Sequence, residues 1–271
     1  MTDSRGTDSR GTDSPVTGAQ VRLDRRGDVI ELVWAAPKLN LFTAAVADEF
    51  ESALDRVPAD GRALIFRAEG RVFCAGVKVQ EFTVLDGTAF SRRMLALVQR
   101  IESLPMPTMA VVHALNLTIG LELALGCDFI WASEQARMGM VEATVGIAPA
   151  AGGTQRLAAR AGIGRAAEMV LTGAIYDPAD LLTWRVVDRL VPATELLALA
   201  RQFAAELAAG PTAASAVSRK ILRTARDQGI AAADAITPEL AGPILDGEDA
   251  AIGIRSLLDR GRGGPPVFTG R

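Results

Sequence analysis

The feature that most constrains this chain is an alternation of short, wholly apolar runs with longer amphipathic ones. Residues 63–66 read ALIF, 108–112 read TMAVV and 129–132 read FIWA, each without a charge. Between them, apolar residues recur every three or four positions. Short apolar runs suit strands buried on both faces, and the wider spacing suits helices packed over them. The alternation predicts an α/β fold.

The elements can be placed. VRLDR and VIELVW flank Arg26-Gly27-Asp28 and read as a β-hairpin, so order is expected from about Val21. Thr43 reads as a helix N-cap, followed by Val46, Phe50, Leu54 and Val57 at helical spacing. Phe90, Met94, Leu97, Val98, Ile101 and Leu104 mark a second helix, stopped by Pro105 and Pro107. Residues 121–125 read as helical. From Pro211 onward the pattern is helical, with segments near 211–225, 231–240 and 248–259 broken by Pro238, Pro243 and Gly247. The expected division is a core over 19–210 and a helical module over 211–271, whose short amphipathic helices suggest an oligomer interface.

Residues 2–14 repeat TDSRG almost three times without an apolar side chain. Such a segment cannot bury enough surface to offset chain entropy, so residues 1–18 are expected to be disordered.

Composition narrows the function. With 49% hydrophobic residues and a net charge of −3, a core is available and nothing suggests nucleic acid. The only histidine is His113, and Cys74 and Cys127 belong to no CxxC or Cys/His cluster, so neither a zinc-type site nor a disulfide framework is expected. That fits a reducing cytoplasm. No uncharged apolar run reaches about 18 residues, so no membrane span is expected. The N-terminus lacks the apolar region of a secretory signal.

Two acids stand in apolar surroundings: Glu122 in GLELALGCD and Glu142 in MGMVEATVG. An unpartnered buried carboxylate is costly, so each needs a reason, and two that met in space would suit general acid–base work. Alone, each also reads as a capping or hydrogen-bonded structural acid. The loops add donors. Ala75-Gly76 in RVFCAGVK can bring backbone N–H groups close to a ligand. Gly120 in LTIGLELAL sits where a strand gives way to a helix, whose first N–H groups are unpaired. Two such N–H groups could form an oxyanion hole. GIAPAAGGTQRL supplies another helix start, with Thr154 as a capping residue. Neither GxxxxGK[ST] nor GxGxxG is present.

The strings RVFCAG, MPTMAVVHA and GLELALGCDFIWASEQARMGMVEATVGIAPAAGGTQRL, continued by EMVLTG, VVDRLVP and GEDAAIGIRSLLDR, closely resemble the enoyl-CoA hydratase/isomerase (crotonase) family over about residues 19–271. The resemblance implies a spiral of ββα units with a C-terminal helical oligomerisation module, a homotrimer or dimer of trimers, an acyl-CoA thioester substrate, and no metal or redox cofactor. It places the two carbonyl-polarising N–H groups on Val77 and Ile119. Ala75, Gly76, Val77, Lys78 and Gly120 become substrate-contacting positions, and Glu122 and Glu142 match the two catalytic glutamates of hydratases.

Three departures stand out. Thr118-Ile119-Gly120 replaces the family's Gly-Gly-Gly, and a β-branched Ile119 is expected to resist positive φ and crowd the thioester. His113-Ala114 replaces Asn-Gly, with His113 read as structural. Lys78 replaces an Asp, read either as a CoA-phosphate contact or as a solvated lysine. The leading expectation is hydration of an enoyl-CoA to a 3-hydroxyacyl-CoA. A double-bond isomerase, which needs one carboxylate, and a non-catalytic acyl-CoA binder are the alternatives.

Overall fold

The computed structural model describes residues 20–80, 86–259 and 266–270. The TDSRG repeat lies outside them. β1 (Gln20–Arg26) and β2 (Val29–Ala35) form the expected hairpin, with Gly27 at φ 61° in the turn. A short turn, α1 (Pro37–Asn40), leads to α2 (Ala44–Asp55), where Thr43 accepts the Val46 N–H at 3.2 Å as the N-cap. Then follow β3 (Ala63–Ala68) and α3 (Gly87–Ser103), the latter capped by Asp86 and ending before Pro105.

From there the chain repeats a strand–strand–helix unit. β4 (Thr108–Val112) and β5 (Leu115–Leu117) precede α4 (Ile119–Leu125). β6 (Phe129–Ser133) and β7 (Arg137–Gly139) precede a 3-10 turn (Glu142–Val145) and α5 (Gly153–Thr172). β8 (Ile175–Tyr176), α6 (Pro178–Thr183) and β9 (Arg189–Val191) complete the core. The main sheet runs β1-β2-β3-β4-β6-β9, parallel except for β1, and a smaller sheet runs β5-β7-β8. This is the mixed α/β fold that the alternation predicts.

Both faces of the main sheet are covered, which explains its unbroken apolar runs. One face packs against α2, α3 and α4, and a chain of ring contacts joins it to α2: Trp34 to Phe50 at 5.5 Å, Phe50 to Phe66 at 5.8 Å and Phe66 to Phe73 at 5.1 Å. The other face is covered by α7 (Leu196–Ala209), whose Leu196, Ala200, Ala204 and Ala208 meet Ile65, Met109 and Trp131.

The helical module consists of α8 (Thr212–Gln228), α9 (Ile230–Leu245) and α10 (Glu248–Leu258). Here the sequence reading is corrected: α9 runs through Pro238 and Pro243 to Leu245 instead of breaking. Each proline removes one intrahelical N–H, but α9 packs along α8, and that contact holds its path. Arg219 ties α8 to the core through Asp128 at 2.6 Å and the Glu102 carbonyl at 3.2 Å. Among the described residues no helix is long and apolar enough to cross a membrane.

Candidate active site

Four expected residues from three segments meet at one cavity of about 150 Å³: Val77, Ile119 and Glu122 of α4, and Glu142 all line it. The smaller sheet brings them together, because β5 leads into α4 and β7 into the Glu142 turn.

The Gly76 turn lies on one side. Gly76 has φ 105°, which an L side chain rarely adopts. Its N–H reaches the Cys74 sulfur at 3.2 Å and its carbonyl accepts from Phe42 at 2.9 Å. The Ala75 N–H goes to Leu39 and that of Lys78 to Phe42. These bonds use the N–H groups around Val77 and leave its own without an acceptor among the described residues. Burial pushes the Cys74 thiol up to about 12, so it remains a neutral anchor of this turn.

On the other side α4 begins at Ile119, whose N–H is one of the unpaired donors of a first helical turn and has no acceptor among the described residues. The expected strain falls one residue earlier than the sequence suggested. Ile119 is helical, and Thr118 carries φ 51°, ψ −121°. The turn that delivers the N–H bends at the residue before the donor.

The two carboxylates differ in environment. Glu122 Oε1 accepts N–H groups from Ala151 at 2.8 Å and Gly153 at 2.9 Å, at the N-terminus of α5. A Cβ on Gly153 would stand 2.8 Å from Glu122 Cγ, so glycine is what permits this approach. Burial raises the Glu122 pKa, opposed by the Gly153 and Ala151 N–H groups and by Arg156. Glu142 Oε2 is buried with no hydrogen-bond partner. Burial, with a smaller push from the Glu122 charge, raises the Glu142 pKa to about 7, against a lowering backbone hydrogen bond.

Apart from Thr118 and Thr144, the remainder of the lining is apolar and includes Phe90 and Met94 from α3 with Val145 and Ile147. The spacing of Phe90 and Met94 showed a helical face but not that it borders a ligand site. Ala75 and Gly76 also line the cavity, while two other expected contacts do not. Lys78 is exposed outside it, and Gly120 is packed behind the wall, where a Cβ would meet Cys74 Cβ at 2.4 Å. Thr154 does not cap α5; Gly152, at φ 89°, occupies that position. His113 Nε2 pairs with the Gly70 carbonyl at 3.0 Å, away from the cavity.

The enoyl-CoA hydratase/isomerase family model matches residues 24–259. The chain belongs to this family. A Bacillus subtilis relative named probable enoyl-CoA hydratase is 30% identical over 241 residues, covering 86% of this chain and 92% of the relative. A carnitinyl-CoA dehydratase of Proteus mirabilis is 31% identical over 217 residues, covering 78% and 82%. The crystal structure of an enoyl-CoA hydratase from Bacillus anthracis superposes with a TM-score of 0.85 at 24% identity, over 93% of this chain and 100% of that one, a likeness of fold. Membership of a hydratase/isomerase family makes the chain an enzyme of the crotonase type and makes an acyl-CoA its fitting substrate.

Proposed function

We propose that this protein is an enoyl-CoA hydratase, adding water across the 2,3 double bond to give a 3-hydroxyacyl-CoA. One observation carries the reading: two buried glutamates in unlike hydrogen-bonding surroundings border the same cavity as two backbone N–H groups that have no acceptor among the described residues.

The thioester oxygen would accept from the N–H groups of Val77 and Ile119. Both gain most when that oxygen becomes an enolate, and one such donor is typically worth ~3 kcal/mol. Glu122, with two N–H groups favouring its anion, serves as the base. It takes a proton from water as the water oxygen bonds Cβ and the π electrons move toward the thioester oxygen. Glu142, whose raised pKa of about 7 leaves it partly protonated at neutral pH, then gives its proton to Cα as the enolate collapses. Proton exchange with solvent returns both groups to their starting states. The reaction needs no metal or redox group, and CoA is part of the substrate. Two unpaired, buried cysteines suit a reducing compartment, and we place the enzyme in the cytoplasm as a homotrimer or dimer of trimers.

The test uses crotonyl-CoA in water enriched in oxygen-18. Hydration gives a product heavier by one labelled water, with the label at Cβ. An unlabelled product of unchanged mass from a 3-enoyl-CoA would point to the isomerase instead.

A further inference from the structure

Among the described residues, Thr118 is the one that lines the cavity with positive φ besides Gly76. Its φ 51°, ψ −121° belongs to glycine territory, and its β-branch makes that conformation a true outlier. Its hydroxyl is buried with no hydrogen-bond partner. Two unfavourable features on one residue persist only where the surroundings over-determine it, and such outliers cluster at functional sites.

What they hold in place is a contact between the two donor-bearing turns. Thr118 Oγ1 lies 3.1 Å, and Cγ2 3.7 Å, from the point that a Cβ on Gly76 would occupy. The Thr118 side chain therefore covers the open side of Gly76. Both ends of this contact are anchored. The Thr118 N–H donates to the Gly139 carbonyl at 3.0 Å, and its carbonyl accepts the Glu122 N–H at 2.9 Å. Gly76 is fixed through Cys74 and Phe42.

We infer that Thr118 is a positioning residue, a clasp whose side chain sets the separation of the Val77 and Ile119 N–H groups. This rests on the thioester site proposed above. Its shape acts, and its hydroxyl does not. A glycine at 118 would relieve the strain and remove the clasp, letting the turns move relative to each other. Misplacement on the order of 1 Å can cost ~100-fold in rate.

The test compares wild type with Thr118→Gly, Thr118→Val and Thr118→Ser. One readout is the kcat and KM for crotonyl-CoA. The other is the absorbance of a bound CoA thioester of 4-(dimethylamino)cinnamic acid, which moves to longer wavelength as its carbonyl is polarised and requires no turnover. The expected result is that Thr118→Gly binds the probe with a smaller shift and loses kcat by about 10- to 100-fold with KM little changed. Thr118→Val, close to threonine in shape, restores most of both and raises Tm by removing the unpartnered hydroxyl. A wild-type shift and kcat in Thr118→Gly would overturn the clasp while leaving the thioester site standing. Loss in Thr118→Val with retention in Thr118→Ser would also overturn it, making the hydroxyl the active group. Absence of any shift on wild-type binding would remove the thioester site itself.

Discussion

At the scale of single residues, the site works by giving two similar side chains unlike surroundings. Glu122 receives two backbone N–H groups, whereas Glu142 leaves one oxygen without a partner. Burial, with a smaller push from the Glu122 charge, gives Glu142 a folded-state pKa of about 7 against an ordinary value of 4.5. A raised carboxylate pKa means that the fold favours the protonated form. Its contribution to stability is complete below about 4.5 and is lost as pH rises toward 7. Glu142→Gln should match wild type in urea unfolding near pH 4 and exceed it at pH 8, by up to about 3 kcal/mol. Equal stability at pH 8 would show that Glu142 ionises without penalty. The same proton sets activity: kcat should fall as pH rises through about 7, where Glu142 loses the proton that Cα needs. Glu122 and Glu142 were legible as candidates because an acid in an apolar run demands a reason. The strain at Thr118 was not, because β-branched residues locally avoid positive φ and the bond from its N–H to the Gly139 carbonyl is a tertiary contact.

At the scale of elements, the main sheet is joined to α7 by a buried ion-pair cluster. Glu31 on β2 is fully buried, accepting from Arg201 of α7 at 2.6 Å and Arg67 of β3 at 2.6 Å. Burial works to raise its pKa, but hydrogen bonds from Arg201 and Arg67 outweigh it and bring the value to about 2. Here the sign is reversed: the stabilisation is complete above about 4.5 and is lost as pH falls toward 2, amounting to about 3 kcal/mol. Glu31→Gln should unfold at lower urea than wild type at pH 7, with the gap narrowing below pH 4.5. A gap independent of pH would assign the loss to packing. The long elements were readable from periodicity and caps: the hairpin at Gly27, Thr43 before α2, and the end of α3 before Pro105. The strands β5, β7 and β8 span two or three residues, too few for a period to show, and they exist because the smaller sheet pairs them. α9 misled the reading because its prolines are locally unfavourable and packing on α8 is a tertiary effect.

At the scale of the whole molecule, the helical module leaves apolar side chains in the open. Leu245, Ile254, Leu257 and Leu258 on α9 and α10 are each more than half exposed. A concentration of large apolar groups on one module suits burial between copies of the chain. Sedimentation should give a trimer or hexamer, and Leu257→Asp should shift it toward smaller species; a wild-type monomer would contradict the proposed assembly. The central claim is that two glutamates divide the addition of water between them. The most direct measurement is the loss of enoyl absorbance from crotonyl-CoA and a longer enoyl-CoA, with wild type beside Glu122→Gln and Glu142→Gln. The account predicts turnover in wild type and a fall of at least about 100-fold in each variant, within the usual worth of a general acid or base. Full hydration by Glu122→Gln, or by Glu142→Gln, would contradict it.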